Sequence, residues 1–127
     1  AGKKFHSYED FATIMIGFDD QKVAIIASNW ITPQKVRTFS AVCTDGIIRG
    51  DFITQDIKIE QSESTIIPRR LKFQEPLTLE LTNFIQVIEG KTRKPVVTGE
   101  DATNVTKVAE AALLSSNTGS PIYMDLK

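Results

Sequence analysis

The sequence predicts an α+β fold: a mostly antiparallel open β-sheet with helices packed on one face. Three observations lead to this prediction. The first half of the chain contains short runs of apolar and β-branched residues separated by polar turns, which is typical of strands. The second half repeats apolar residues at helical spacing. Strands followed by helices, in 127 residues of which 41% are hydrophobic, fit one domain with one modest core.

The first two strands are predicted at residues 11–18 and 23–30, with the polar turn 19–22 between them. Both strands carry apolar residues on both faces. Since strands with a single buried face are polar on the other, we expect this part of the sheet to be covered on both sides. A side that the chain itself does not cover would be a surface for a partner.

A meander of three further strands is predicted at residues 36–43, 47–53 and 55–61. Between the first two of them, Asp45-Gly46 predicts a hairpin turn, because glycine accepts a positive φ. The polar residues 61–70 surround two isoleucines and predict an irregular connection or a short edge strand.

The first helix is predicted from one apolar stripe, made of Leu77, Leu81, Phe84, Ile85 and Ile88. Pro76 suits the first helical turn, and Gly90 suits the residue just past the end. A second stripe predicts the second helix, with Ala102, Val105, Val108, Ala109, Ala112 and Leu113. Asn117 and Gly119 are expected to stop it, and Pro121 to prevent its resumption.

After the second helix, apolar and polar residues alternate over 122–126, which predicts that the chain closes on a strand. The stretch RKPVVTGEDA, residues 93–102, has basic residues and a glycine beside a helix start, where anions bind. However, Thr98 can cap the helix, and Glu100 and Asp101 would repel a phosphate. We therefore interpret this stretch as a helix start and not as an anion cradle.

Composition excludes several classes of function. A net charge of −1 is not that of a nucleic-acid binder, which has a basic surface. The single Cys43 excludes an internal disulfide and an all-cysteine metal site. The apolar stretches are too short to span a bilayer, so no membrane partner is expected. These features predict a soluble cytoplasmic protein.

Candidate catalytic residues are few, and a structural role is favoured for each. His6, the only histidine, lies in a polar stretch and is expected to be solvated. Cys43 ends a strand. Asp19-Asp20 could chelate a metal but suits a turn, and Arg69-Arg70 could meet a phosphate but suits a solvated loop. No glycine-rich nucleotide loop occurs. The sequence therefore assigns no catalytic, cofactor-binding or metal-binding residue.

The strongest candidate site is the stretch SNWITPQKVR, which follows the second strand. Asn29 and the only tryptophan, Trp30, lie at the strand end, and Lys35 and Arg37 follow Pro33. A tryptophan beside an amide and two cations can hold a polar ligand or a partner subunit. A tryptophan at a strand end followed by an ordinary polar loop remains the alternative.

The chain resembles the C-terminal domain of the Gfo/Idh/MocA oxidoreductases, the relatives of glucose-fructose oxidoreductase and inositol dehydrogenase. The most specific match is EGKTRKPVVTGEDATNVTKVAEAALLSSNTGSPIYM, which is similar to the ending of that family. ASNWITPQKVRTFSAVCTDGIIRGDFITQDIKI and PLTLELTNFIQVIEG match more loosely. Together the resemblance extends from about Glu9 to Met124.

The resemblance implies that residues 1–127 form a single C-terminal domain, the substrate-side and oligomerisation part of an enzyme that uses NAD or NADP. The family's dinucleotide-binding domain, with its glycine-rich loop and its Glu-Lys-Pro motif, has no counterpart here. No catalytic residue is therefore carried over, and the chain by itself is expected to be inactive and to bind neither cofactor.

The parent enzyme would transfer a hydride between the nicotinamide and a secondary alcohol of a sugar, a nucleotide sugar or a cyclitol. The expected partners are a second copy of the chain through the open sheet face, the dinucleotide-binding domain and a sugar-like substrate. The alternative is a standalone module that binds a sugar or dimerises without catalysis.

Overall fold

A computed structural model of the chain describes residues 1–67 and 73–126. Two compact units make up the chain, one formed by Ala1–Pro33 with Lys94–Lys127 and the other by Gln34–Arg93. The described residues form two helices and two antiparallel sheets. The α+β class and the mostly antiparallel strands are thus confirmed.

In the first unit, strands β1 (Phe11–Gly17) and β2 (Val23–Asn29) form an antiparallel hairpin. The polar residues between them make the predicted turn, in which the N–H of Phe18 donates to the carbonyl of Lys22 at 3.0 Å. Gln21 adopts a φ of 65° in this turn. Both strands begin at the predicted residue, because the turn and the apolar runs are local features of the sequence.

The two faces of this hairpin differ in exposure. Ala12, Ile14, Ile16 and Ala24 share one face, which is partly buried. On the opposite face Met15 pairs with Ile25, and their side chains are 73% and 67% exposed. Phe11 and Val23 lie on that face too and are also exposed. Within the described residues the chain therefore partly covers one face of the hairpin and leaves the other face exposed.

The second unit contains a four-stranded antiparallel sheet in sequential order. Its strands are β3 (Thr38–Cys43), β4 (Gly46–Asp51), β5 (Asp56–Glu60) and β6 (Thr65–Ile66). The β3–β4 turn is made by Thr44 and Asp45, one residue earlier than predicted, and Gly46 begins β4 with a φ of 154°. A side chain there would also collide with the carbonyl oxygen of Glu60. The short β6 confirms the edge-strand alternative for the part of residues 61–70 that is described.

The described strands form two sheets, one in each unit. Residues 30–37, which connect β2 to β3, have no regular secondary structure. Pro33 lies in the middle of this segment and has no N–H to donate to a ladder. Strand β3 starts at Thr38, two residues later than predicted.

Helix α1 (Pro76–Ile88) begins as predicted, with Pro76 in its first turn. The carboxylate of Glu75 caps it by accepting from the N–H of Thr78 at 2.7 Å. At the other end Gly90 has a φ of 72°, the left-handed conformation that follows many helices. The apolar stripe of α1 is largely exposed to solvent.

Helix α2 (Gly99–Thr118) also has the expected bounds at both ends. Thr98 is its N-cap, and Gly119 ends it in a left-handed conformation with a φ of 66°. Asn117, which was expected to help stop the helix, lies within its last turn. The helix ends at Gly119 because glycine adopts the left-handed conformation without the steric cost of a Cβ.

The predicted closing strand is wrong. Residues 121–126 have no regular secondary structure, although apolar and polar residues alternate there. Alternation specifies which side chains share a face, but a strand also needs a neighbour that accepts and donates its backbone hydrogen bonds. No described strand provides that neighbour.

Burial in the two units is unusual for a chain with this hydrophobic content. No hydrophobic side chain of residues 1–67 and 73–126 is buried, and Asp10 has the one buried side chain among them. A folded domain normally hides its largest apolar residues and leaves carboxylates in water. The exposed apolar faces and the buried carboxylate are thus the two features that need a functional explanation.

Candidate functional site

The buried carboxylate of Asp10 lies immediately before β1, and its side chain is 1% exposed. It accepts hydrogen bonds from three successive backbone N–H groups, those of Lys4 (2.6 Å), Phe5 (2.6 Å) and His6 (3.2 Å). Successive N–H groups that converge in this way form a concave anion-binding turn. Here the anion is supplied by the chain itself.

The imidazole of His6 is the fourth partner of Asp10, through a short hydrogen bond between its Nδ1 and the second carboxylate oxygen. The N–H of Phe5 and the ring of His6 are the main reasons that the pKa of Asp10 lies well below its usual range. Because an ionised carboxylate can only accept, Nδ1 carries the proton. His6 also stacks on Tyr8, with ring centroids 5.3 Å apart. It is therefore half exposed and paired, where simple solvation was expected.

The backbone of Asp10 joins two other parts of the first unit. Its N–H donates to the carbonyl of Gly2 at 2.8 Å, and Gly2 forms an isolated bridge with Phe11. Its carbonyl accepts from the N–H of Trp30 at 2.9 Å. Asp10 thus connects the N-terminal turn to the end of β2, where the sequence places the strongest candidate site.

Asn29 and Trp30 have different environments at this strand end. The side-chain oxygen of Asn29 accepts from the N–H of Ile31 (3.0 Å) and from both the N–H (2.9 Å) and the hydroxyl (3.0 Å) of Thr32. This Asx turn redirects the chain after the strand. The side chain of Trp30, in contrast, is 84% exposed. Asn29 therefore has a structural role, and the tryptophan is left available for a ligand or partner.

Lys35 and Arg37, the other two residues of the candidate site, belong to the second unit. Both are exposed. The carbonyl of Arg37 accepts from the N–H of Phe52 at 2.9 Å, which anchors its backbone beside β4. Within the described part of the chain, neither side chain has an assigned ion pair. Their proposed role stays a prediction.

The start of α2 is closed by its own side chains, as the sequence predicts. The hydroxyl of Thr98 accepts from the N–H of Asp101 at 3.1 Å, and the carboxylate of Asp101 accepts from the N–H of Thr98 at 2.8 Å. This reciprocal pair is a capping box. Hydrogen bonds from Thr98 also lower the pKa of Asp101. The N–H groups of Thr98 and Asp101 are thus already used, and the carboxylates of Glu100 and Asp101 would repel a phosphate there.

A charged cluster on the second sheet was not predicted from the sequence. Glu60 accepts from Arg49 Nε at 2.9 Å and from Lys58 Nζ at 2.6 Å. These two hydrogen bonds, that of Lys58 first, lower the pKa of Glu60 to about 2. The strand register explains the cluster, because Arg49 lies opposite Lys58, and Glu60 lies two residues further along β5 on the same face.

Other candidates contain no built site. A shallow polar cleft of about 580 Å³ lies between the β3–β4 turn and the connection after β5, lined by Thr44, Asp45, Gly46, Gln61, Ser62, Glu63 and Ser64. Asp20 pairs with Lys22 inside its turn, and Cys43 is exposed. Arg69-Arg70 lie outside the described residues. No three potential metal ligands of His, Cys, Asp or Glu type come together in residues 1–67 and 73–126.

None of the described helices combines the length and the hydropathy that a membrane crossing requires. Comparisons of the chain with models of protein families, with curated proteins and with solved structures found no match. The support for a function therefore comes from the chemistry of these residues and from the resemblance of their motifs.

Proposed function

We propose that the chain is the substrate-side and oligomerisation domain of an NAD(P)-dependent oxidoreductase of the Gfo/Idh/MocA type. Its parent enzyme would oxidise or reduce a secondary alcohol of a sugar, a nucleotide sugar or a cyclitol. The motifs at the end of the chain support this proposal, and so does the order of antiparallel strands followed by capped helices. A cytoplasmic location is part of the proposal, since an exposed free Cys43 suits a reducing compartment.

The observation that carries the proposal is the exposed apolar face of the β1–β2 hairpin. Met15, Ile25, Val23 and Phe11 lie together on this face, and none is buried. Contiguous exposed apolar patches usually mark interfaces. A second copy of the chain is the occupant we propose, because a two-fold contact between identical patches closes without leaving a free surface.

The residues of this chain do not fit a dinucleotide. Its seven glycines are dispersed, so no glycine-rich turn can approach a pyrophosphate. Glu100 and Asp101 occupy the first turn of α2, and like charges would repel a cofactor phosphate there. The nicotinamide and the catalytic groups would therefore belong to another domain. The role left to this chain is to orient the substrate, with Trp30, Lys35 and Arg37 as the proposed contacts, and to pair the subunits.

Sedimentation at micromolar concentration tests the pairing. The unmodified chain is expected to be a dimer, and Ile25→Lys is expected to give a monomer, because a buried lysine at the centre of the interface lacks a partner. Gln21→Lys adds the same charge in the hairpin turn, outside the apolar face, and should leave the dimer intact. A monomeric unmodified chain would remove the main support for the oligomerisation role.

The enzymatic part of the proposal has an independent test. The reading frame upstream of Ala1 is expected to encode a glycine-rich strand–loop–helix and a Glu-Lys-Pro motif. Calorimetry of the 127-residue chain should detect no binding of NAD or NADP. If the upstream frame instead begins immediately before Ala1, or if the chain binds either cofactor at micromolar concentration, the proposal fails. The first of these outcomes would favour a standalone sugar-binding or dimerisation module.

A further inference from the structure

We infer that Asp10 is a positioning residue that holds the end of β2 in place, and with it the exposed Trp30. This inference rests on the proposed role of Trp30 as a substrate or interface contact. The new element is the carboxylate of Asp10, which is distant from Trp30 in the sequence and is not part of the candidate-site motif. Asp10 is not proposed to contact substrate.

Asp10 is hydrogen-bonded through both its side chain and its backbone. One carboxylate oxygen accepts the N–H groups of Lys4, Phe5 and His6, and the other accepts His6 Nδ1. Its own N–H donates to Gly2, and its carbonyl accepts from Trp30. Both carboxylate oxygens and both backbone groups are therefore engaged, and a buried group in this state resists displacement.

Trp30 has an exposed side chain and a hydrogen-bonded backbone. In residues 1–33, its side chain is highly exposed, so packing does not hold the indole. The backbone after it is turned by the side chain of Asn29, and the backbone N–H of Trp30 is held by the carbonyl of Asp10. The backbone position of Trp30 therefore depends on two features, the Asx turn formed by Asn29 and the hydrogen bond to Asp10. We call Asp10, the turn 4–6 that it binds and this hydrogen bond the Asp10 junction.

The charge of the Asp10 carboxylate holds the junction together. Three converging N–H groups need an anion, and a carboxylate satisfies them better than a neutral side chain can. If the carboxylate is removed, the turn 4–6 loses its centre, and the peptide group of Asp10 is no longer fixed from its side chain. The hydrogen bond to Trp30 should then open more often. Fixing a recognition residue before binding lowers the entropy cost of the complex, which gives the junction its use.

Amide hydrogen exchange of the 127-residue chain, followed residue by residue by NMR, tests this coupling. In Asp10→Ala, exchange at the N–H of Trp30 and in the turn 4–6 is expected to be faster by about tenfold. Asp10→Asn keeps one acceptor oxygen but no charge, so its exchange rates should lie between those of Asp10→Ala and those of the unmodified chain. Asp125→Ala removes an exposed carboxylate in the same unit and serves as the matched control, with unchanged rates.

The pattern of exchange decides the outcome. Faster exchange confined to Trp30 and the turn, with unchanged rates in the middle of α2, supports the inference. Equal acceleration throughout the unit would mean that Asp10 acts only on global stability, and unchanged exchange at Trp30 would mean that the junction is not coupled to the strand end. Either result overturns the inference. Neither affects the sedimentation and cofactor tests, so the proposed function fails or stands separately.

Discussion

The ring of Phe39 lies directly over Gly50 on the neighbouring strand. The two residues are paired in the β3–β4 register, and an added Cβ at Gly50 would lie 2.1 Å from the nearest ring atom. Phe39 also contacts Phe52, with ring centroids 5.5 Å apart. An aromatic side chain that covers a cross-strand glycine fixes the register, because a shifted pairing would place the ring against a side chain.

The first prediction concerns this pair. Gly50→Ala is expected to destabilise the chain by about 1–3 kcal/mol, as overpacked sites usually do. Gly17→Ala is the matched control, since no atom lies within 4 Å of an added Cβ there. Urea denaturation measures both variants. Equal midpoints for Gly50→Ala and the unmodified chain would show that the ring moves aside at no cost.

The second prediction concerns the capping box of α2. Thr98→Ala should lower stability by about 1 kcal/mol, because the N–H of Asp101 loses its acceptor. Thr106 hydrogen-bonds the carbonyl of Ala102 within the same helix, so Thr106→Ala, which caps nothing, should change stability little. Thermal unfolding compares the two. An unchanged midpoint in Thr98→Ala, together with loss of phosphate binding, would instead support an anion cradle.

The third prediction is a pH dependence of the charged cluster on the second sheet. The hydrogen bonds from Lys58 and Arg49 lower the pKa of Glu60 from its ordinary value of 4.5 to about 2 in the folded chain. Its ionised form therefore stabilises the fold fully above pH 4.5, and this contribution is lost as the pH falls towards 2. Carboxyl NMR should find Glu60 still ionised near pH 3.5, well below the midpoint of an unperturbed glutamate.

A substitution at Lys58 distinguishes its effect on the pKa of Glu60 from that of Arg49. In Lys58→Met, the pKa of Glu60 should rise towards its ordinary value, since the largest stabilising contact is lost and the Arg49 contact remains. Lys91→Met removes a cation that pairs with Glu89 and not with Glu60, and should leave the titration of Glu60 unchanged. Identical titrations in all three proteins would contradict the assignment.

The fourth prediction separates two residues of the candidate site. In the proposed full-length enzyme, Arg37→Ala should raise KM or lower kcat/KM, and it should not unfold the protein, because the side chain of Arg37 is exposed. Asn29→Ala should act differently, by lowering stability, since three hydrogen bonds of the Asx turn lose their acceptor. Unchanged kinetics in Arg37→Ala would assign that residue to the surface alone.

Local features of this fold could be predicted from the sequence alone. The starts of β1 and β2, the Gly46 turn, the Thr98 cap and the Gly119 stop each depend on residues within one turn of one another. Propensity, capping and positive φ act over that distance, so the α+β class with antiparallel strands follows from them. The motif resemblance is equally local, and it supplies the proposed function.

Features that depend on distant residues were decided by the tertiary structure. Alternation over 122–126 predicted a strand, but no neighbouring strand accepts its hydrogen bonds. The Asp10 junction was missed because a carboxylate in a polar stretch has the pattern of a solvated residue. Only the folded chain brings Asp10 under the N–H groups of the turn 4–6 and beside Trp30, twenty positions away in the sequence. Sequence patterns specify which groups need partners, and the tertiary structure determines which partners they find.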